Sequence, residues 1–243
     1  MPFDRLQSVL EGELAELGSR GTLKGEEAVI TGIVPAEGDL GPRVLLSGEG
    51  KRPFLRMNSN SYLGMSLRPE LVQAEEEAVR RFGTGPGAVR FISGSYEPHV
   101  ALESRLADFH RRESAMIFSS AYATTMGVLP SLIDSETAVV SDELNHNCII
   151  NAMRLARPKQ KLIYNHLDMV DLEERLRQAS RDCSRALIVT DGIFSMRGDH
   201  APLQQIMELA RKYDGEFTQN VVVVADDSHG VGAFGATGRG TEE

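Results

Sequence analysis

Val221-Val222-Val223-Val224-Ala225-Asp226-Asp227-Ser228-His229-Gly230 is the stretch that decides the fold. Four successive valines carry no polar alternation, so the segment reads as a strand buried on both faces of a parallel sheet. A carboxylate set directly after such a strand is costly to bury alone. Asp226 therefore calls for a cation, a metal or a protonated ring nitrogen. Working upstream, Leu203, Ile206, Met207 and Ala210 form a helical stripe with Pro202 near its first turn. Ala186 to Thr190 reads as another apolar strand. The alternation continues backwards: a helix through Leu172, Leu176 and Ala179, a strand at Lys161 to Tyr164, a helix through Ile149, Met153 and Ala156, and a strand at Ala138 to Val140. Earlier still come a helix from Ala123 to Ile133 and a short strand at Ala115 to Phe118. Two further helices run through Leu102, Leu106 and Phe109, and through Leu71, Ala78 and Phe82. Repeated strand–helix–strand units imply right-handed crossovers and an α/β fold, a mostly parallel sheet with helices on both faces.

Ligands of such sheets bind beyond the carboxyl ends of the strands. The residues delivered there are Ser119-Ser120-Ala121-Tyr122, Ser141 to Asn147, Asp191 to Ser195, and Asp226 to Gly230. Four polar clusters on one rim point to a polar ligand site. Ser119 to Ala121 either cap the next helix or present its first amides to a phosphate. His146 is either an ordinary loop histidine or an imidazole lying on a planar ligand. Ser195 carries little signal by itself. Asp226 and His229 lack a third ligand at metal-like spacing. A hydrolase built on Ser195, His229 and Asp226 lacks the Gly-x-Ser-x-Gly elbow. Gly83-Thr84-Gly85-Pro86-Gly87 lacks the Gly-Lys-Ser/Thr of a phosphate loop and reads as a turn near a site.

Composition narrows the partners. The 243 residues hold 26 Lys and Arg against 35 Asp and Glu, a net charge of −9. That balance argues against nucleic acid and anionic membranes, both of which need a positive field. The longest purely apolar run, Val221 to Ala225, is too short to span a bilayer. Cys148 and Cys183 suggest neither a disulfide framework nor a zinc site, and reduced thiols fit a cytoplasmic protein. Residues 1–20 place Phe3, Leu6, Leu10, Leu14 and Leu17 on one helical face and do not read as a signal peptide. Thr31 to Pro53 read as loops with a minor strand or hairpin. We therefore expect an N-terminal helix and arm over residues 1–55 and one large domain over 56–243.

The motifs, taken in order, resemble one family. They are Asn60-Ser61-Tyr62-Leu63-Gly64, Gly87-Ala88-Val89-Arg90-Phe91-Ile92-Ser93-Gly94-Ser95, His99 with Leu102-Glu103, Ser141 to His146, Thr190 to Met196, Asp226 to Gly232 and Gly238-Arg239-Gly240. Together they resemble the α-oxoamine synthases, acyltransferases that use pyridoxal 5′-phosphate (PLP). Arg90-Phe91-Ile92 and Glu143 to His146 look most like the glycine C-acetyltransferase branch. The resemblance implies the large domain of a type I PLP-transferase fold, the aspartate-aminotransferase type, incomplete at its C-terminus. It also implies roles. Asp226 would pair with the pyridine nitrogen, His229 would bond the ring 3-hydroxyl, and His146 would stack on the ring. Ser195 would contact the cofactor, Ala121 and Tyr122 would offer amides to its phosphate, and Asn60 would lie near the substrate carboxylate. The catalytic set would thus be His146, Asp226 and His229.

The implied reaction condenses a small amino acid, glycine first, with an acyl-CoA to give a 2-amino-3-oxo acid plus CoA, or, where decarboxylation follows, an α-amino ketone plus CoA and CO2. A homodimer with its site at the interface is implied as well. The family's Schiff-base lysine, in a Ser/Thr-x-x-Lys segment, is absent from the 243 residues. Lys24, Lys51, Lys159, Lys161 and Lys212 are their only lysines, and none has that context. The family's small C-terminal domain is also absent, and open sheet edges are expected. We therefore expect no turnover from these residues alone. An 8-amino-7-oxononanoate synthase-like enzyme and a lysine-less, non-catalytic partner subunit are the alternatives.

Overall fold

The computed structural model describes residues 3–243. It divides into two compact units, one up to Asn60 and one from Ser61. In the first, helix α1 spans Asp4–Ser19 and none of its residues is buried. Three strands follow, β1 (Ile30–Val34), β2 (Arg43–Leu46) and β3 (Pro53–Phe54), paired antiparallel in the order β1-β2-β3. The hairpin expected in this Gly- and Pro-rich stretch is present, with Val44 as its buried centre.

The second unit opens with a 3₁₀ helix, Tyr62–Leu67, then α2 (Pro69–Phe82), the single turn α3 (Arg90–Ser93) and α4 (Glu97–Phe109). From there the chain winds as α5 (Ala121–Leu132), β4 (Thr137–Asp142), α6 (Asn147–Ala156), β5 (Gln160–Tyr164), α7 (Met169–Ala179), β6 (Arg185–Asp191), α8 (Leu203–Tyr213) and β7 (Val221–Asp226). The four strands are all parallel, in the order β5-β4-β6-β7.

Period-two side chains explain the two-layer packing. Ala138, Val140, Ala186 and Ile188 meet Leu172 and Leu176 of α7 and Ile206 and Ala210 of α8 on one face. Val139, Leu187 and Val189 meet Leu129 of α5 and Ile149, Ala152 and Met153 of α6 on the other. Each buried Leu, Ile or Val contributes about 1.5–3 kcal/mol, and the central strands β4 and β6 supply Val139, Val140, Leu187, Ile188 and Val189. Helix ends are set locally. The Asp168 carboxylate accepts from Val170 N (2.9 Å) and Asp171 N (3.0 Å) at the start of α7, and Arg157 takes a left-handed conformation just after α6.

Two expectations are corrected. Ala115 to Phe118 is not a strand. Sheet structure needs a hydrogen-bonding neighbour, and no described strand pairs with this segment. Ile117 N instead donates to Glu103 Oε1 (3.1 Å), whose carboxylate is held by Arg90 at 2.5 and 2.9 Å. That clamp, chiefly the Arg90 hydrogen bond, holds Glu103 down at about 2. The all-valine strand β7 is also not buried throughout. It lies at the sheet edge, and although Val221, Val223 and Val224 pack against the two core layers, Val222 is 37% exposed. No helix among the described residues is long and apolar enough to cross a membrane.

Candidate active site

The carboxyl ends of β4, β6 and β7 converge on one rim, and the polar residues after each strand are tied to one another. Asn145, only 4% exposed, follows β4. Its amide donates to Ser141 Oγ (2.8 Å) and Val189 O (2.7 Å), and its Oδ1 accepts from Asp191 N (2.8 Å). In return, Asp191 Oδ2 accepts from His146 N (3.1 Å). The loops after β4 and β6 are thus fixed in register before any side chain reaches outward.

His146 caps the N-terminus of α6, its Nδ1 accepting from Cys148 N at 3.3 Å. The ring is exposed. Cys148 is buried, with Sγ 2.9 Å from His146 Nδ1 and 3.8 Å from Asp226 Oδ2. Burial, helped by the Asp226 charge, pushes its thiol above the ordinary range. Through that thiol the structure brings His146 and Asp226 together.

Asp191 and Asp226 are register partners at the ends of β6 and β7. Asp191 is 7% exposed, and its Oδ1 has no partner among the described residues. Burial first, and the Asp226 charge second, push its carboxyl up to about 7. Asp226 Oδ1 accepts from Ser228 N (3.2 Å) and Ser228 Oγ (2.6 Å). Asp227 points elsewhere: its Oδ2 accepts from Thr241 N at 2.8 Å. A Cβ at Gly192 or Gly230 would collide with that carboxylate, so a larger residue at either position would push the Asp227 side chain aside.

His229, half-buried, is hydrogen-bonded through Nδ1 to the hydroxyl of Tyr62. Ser195 sits exposed on the turn after β6, within a hairpin closed by the Ile193–His200 bridge. Asn60 is exposed at the end of the N-terminal unit. At the start of α5, Ser120 Oγ accepts from Ala123 N (3.1 Å), while the amides of Ala121 and Tyr122 have no acceptor among the described residues. A cavity of about 290 Å³ lies between this helix start and the end of β7, lined by Ala121, Thr124, Thr125, Asp226 and Ser228. Of the candidate residues, Ala121 and Asp226 border it, whereas Tyr122, His146, Ser195 and His229 do not. Among the described residues no cluster of three His, Cys, Asp or Glu could hold a metal.

Sequence reasoning assigned no role to Asp191, Asn145, Cys148 or Tyr62. Asp191 carries the same signal as Asp226, a carboxylate closing an apolar strand. Nothing local distinguishes the other three.

Comparison with known proteins supplies the family. The aminotransferase class I and II profile matches residues 52–242. The 8-amino-7-oxononanoate synthase of Exiguobacterium sibiricum is 41% identical over 241 residues, 99% of this chain and 56% of that protein. The mitochondrial 2-amino-3-ketobutyrate coenzyme A ligase of Homo sapiens is 41% identical over 239 residues, 98% of this chain and 53% of that protein. Among solved structures, the serine palmitoyltransferase of S. paucimobilis with a bound PLP–myriocin aldimine superposes with a TM-score of 0.81 at 26% identity. It is matched over 100% of this chain and 56% of its own. The chain spans about half the length of the relatives it matches. It belongs to the aminotransferase class I and II family, among the α-oxoamine synthases.

Proposed function

We propose that the protein carrying this sequence binds PLP and condenses an amino acid, glycine first, with an acyl-CoA, releasing CoA. The observation that carries the reading is the pairing of two complementary ends across one cavity. Ala121 lines it at the positive end of the α5 dipole, where its amide and that of the next residue, Tyr122, are unpartnered, and the Asp226 carboxylate lines it at the tip of β7. A phosphate fits the first and a protonated ring nitrogen fits the second. The unpartnered Oδ1 of Asp191, one strand away, adds a second acidic group at that end.

When bound, the cofactor supplies an electron sink for charge developing at the amino acid's α-carbon. The chain's own residues do the rest. Asp226 holds the proton on the ring nitrogen. His146, exposed and fixed by Asp191 and Cys148, offers its face for stacking. His229, oriented by Tyr62, donates toward the ring hydroxyl, and Ser195 contacts the cofactor from the hairpin after β6. Asn60 binds the substrate carboxylate.

Lys159 is bonded to Glu136 Oε2 (3.1 Å) and Asp182 O (2.5 Å), and Lys212 to Glu173 (2.6 Å). No lysine lies at the carboxyl ends of β4, β6 or β7. We therefore assign no turnover to these 243 residues alone. Exposed Phe91 (90%), Ile92 (71%) and Met196 (94%) suit a homodimer interface. Two free, buried cysteines suit a cytoplasmic setting.

The test is a PLP titration followed by absorbance, with wild type and Asp226→Asn. Binding by wild type that weakens at least tenfold in the variant supports the site, and equal affinity refutes it. Glycine and alanine are then offered to the full-length protein with acetyl-CoA and longer acyl-CoA thioesters, because relatives of two names match equally at 41% identity.

A further inference from the structure

We infer that His166 is a positioning residue that clamps the loop carrying His146 to the hairpin carrying Ser195. The significance of those loops rests on the PLP reading above; the clamp itself rests on geometry. The His166 side chain is 7% exposed, and both ring nitrogens are committed to different elements. Nδ1 bonds Asp142 Oδ1 at 2.9 Å, at the tip of β4. Nε2 bonds Asp199 Oδ2 at 3.2 Å, on the hairpin after β6. The ring also stands edge-on to Phe194, the residue before Ser195, with centroids 4.4 Å apart.

Each end is anchored further. Asp142 Oδ1 also accepts from Leu144 N (2.9 Å), and its Oδ2 accepts from Leu167 N (3.0 Å). Glu143 Oε1 accepts from the backbone N of His166 at 2.9 Å. Across the clamp, Phe194 N donates to Asp199 O (2.9 Å) and Gly198 N to Phe194 O (2.8 Å), which closes the turn around Ser195 and Met196. Arg197 Nε pairs with Asp199 Oδ2 at 3.2 Å. One buried ring therefore spans from three residues before Asn145 to four residues after Ser195.

The chemistry of the ring makes this span protonation-dependent. A neutral imidazole has one donor, and only the imidazolium can donate to two carboxylates at once. The charged groups facing it are Asp142 and Glu143 from the β4 end and Asp199 and Arg197 from the hairpin. Asp168 and Asp171 lie on its own segment. Burial alone would lower its pKa, but the bonds to Asp142 and Asp199 outweigh it and hold the pKa above the usual histidine value. Below that pKa the ring holds both arms; above it one bond is lost, the span is broken, and neither loop is braced by the other.

The test is amide hydrogen exchange in peptides covering 143–147 and 193–200, for wild type, His166→Gln and Asp199→Asn, from pH 6 to 9. Wild-type protection in the two loops should fall together, with one midpoint. His166→Gln should lower protection about tenfold in both loops at pH 6 and abolish the midpoint. Asp199→Asn, a milder change on a part-exposed residue, should lower protection in 193–200. Unchanged protection in either loop of His166→Gln, or in 193–200 of Asp199→Asn, overturns the clamp. A PLP titration runs beside it, and His166→Gln should bind at least tenfold more weakly than wild type. If wild type binds no PLP while His166→Gln still releases both loops, the clamp stands and the cofactor reading falls.

Discussion

Asp191→Asn should make the protein more stable, by an amount that grows with pH. Asp191 is almost fully buried, one of its oxygens has no partner, and Asp226 stands at the end of the neighbouring strand. These conditions raise its carboxyl from 3.8 to about 7. The sign follows from proton counting. Between those values the folded protein keeps a proton that the unfolded chain has released. The Asp191 contribution to stability is therefore most favourable below pH 4, falls as the pH rises toward 7, and levels off above it. At 1.36 kcal/mol per pH unit the whole span is worth about 4 kcal/mol, of which about 2.5 kcal/mol is lost between pH 5 and pH 8. Asparagine keeps an acceptor for His146 N and cannot ionise. The assay is urea unfolding of both proteins at pH 5 and pH 8. The stability difference between variant and wild type should increase by about 2.5 kcal/mol over that interval. Comparing differences cancels the contacts of the asparagine itself. A difference that stays constant with pH would mean that Asp191 ionises like a surface aspartate, and the reasoning would fail.

Asn145→Ala should cost about 2–4 kcal/mol in urea unfolding, because it strands Asp191 N and Val189 O inside the protein. A loss under 1 kcal/mol would show that water replaces the amide there. Ile188→Ala in central β6, fully buried, should cost about 3–4 kcal/mol. Val222→Thr on edge strand β7 should cost about 1 kcal/mol or less, and equal losses at the two positions would contradict the placement of β7 at the sheet edge.

Most helices and strands were legible because their apolar spacing is strong and local. Leu172, Leu176 and Ala179 announce α7, and Ala186 to Thr190 announce β6, with boundaries moving by a residue or two. Ala115 to Phe118 failed for a non-local reason: a strand needs a neighbour, and strand character in a sequence does not supply one. Val222 failed for a related reason, since four valines look alike whether a strand is central or at an edge. Within the site, Asp226 stood out because a carboxylate after an apolar strand is costly to bury. Asp191 carried the same mark without an assigned role.

The sequence by itself determined the α/β alternation, the family and the set of polar residues placed after the strands. These depend on periodicity and residue type, which are properties of short stretches. Only the tertiary structure decided that Asn145 locks β4 to β6, that Cys148 lies between His146 and Asp226, and that Tyr62 holds His229 across 167 positions. The same holds for His166, whose partners lie 24 residues before it and 33 after it. Such bonds form between groups far apart in the chain, so strand order and loop path, rather than any local pattern, set which of them can meet.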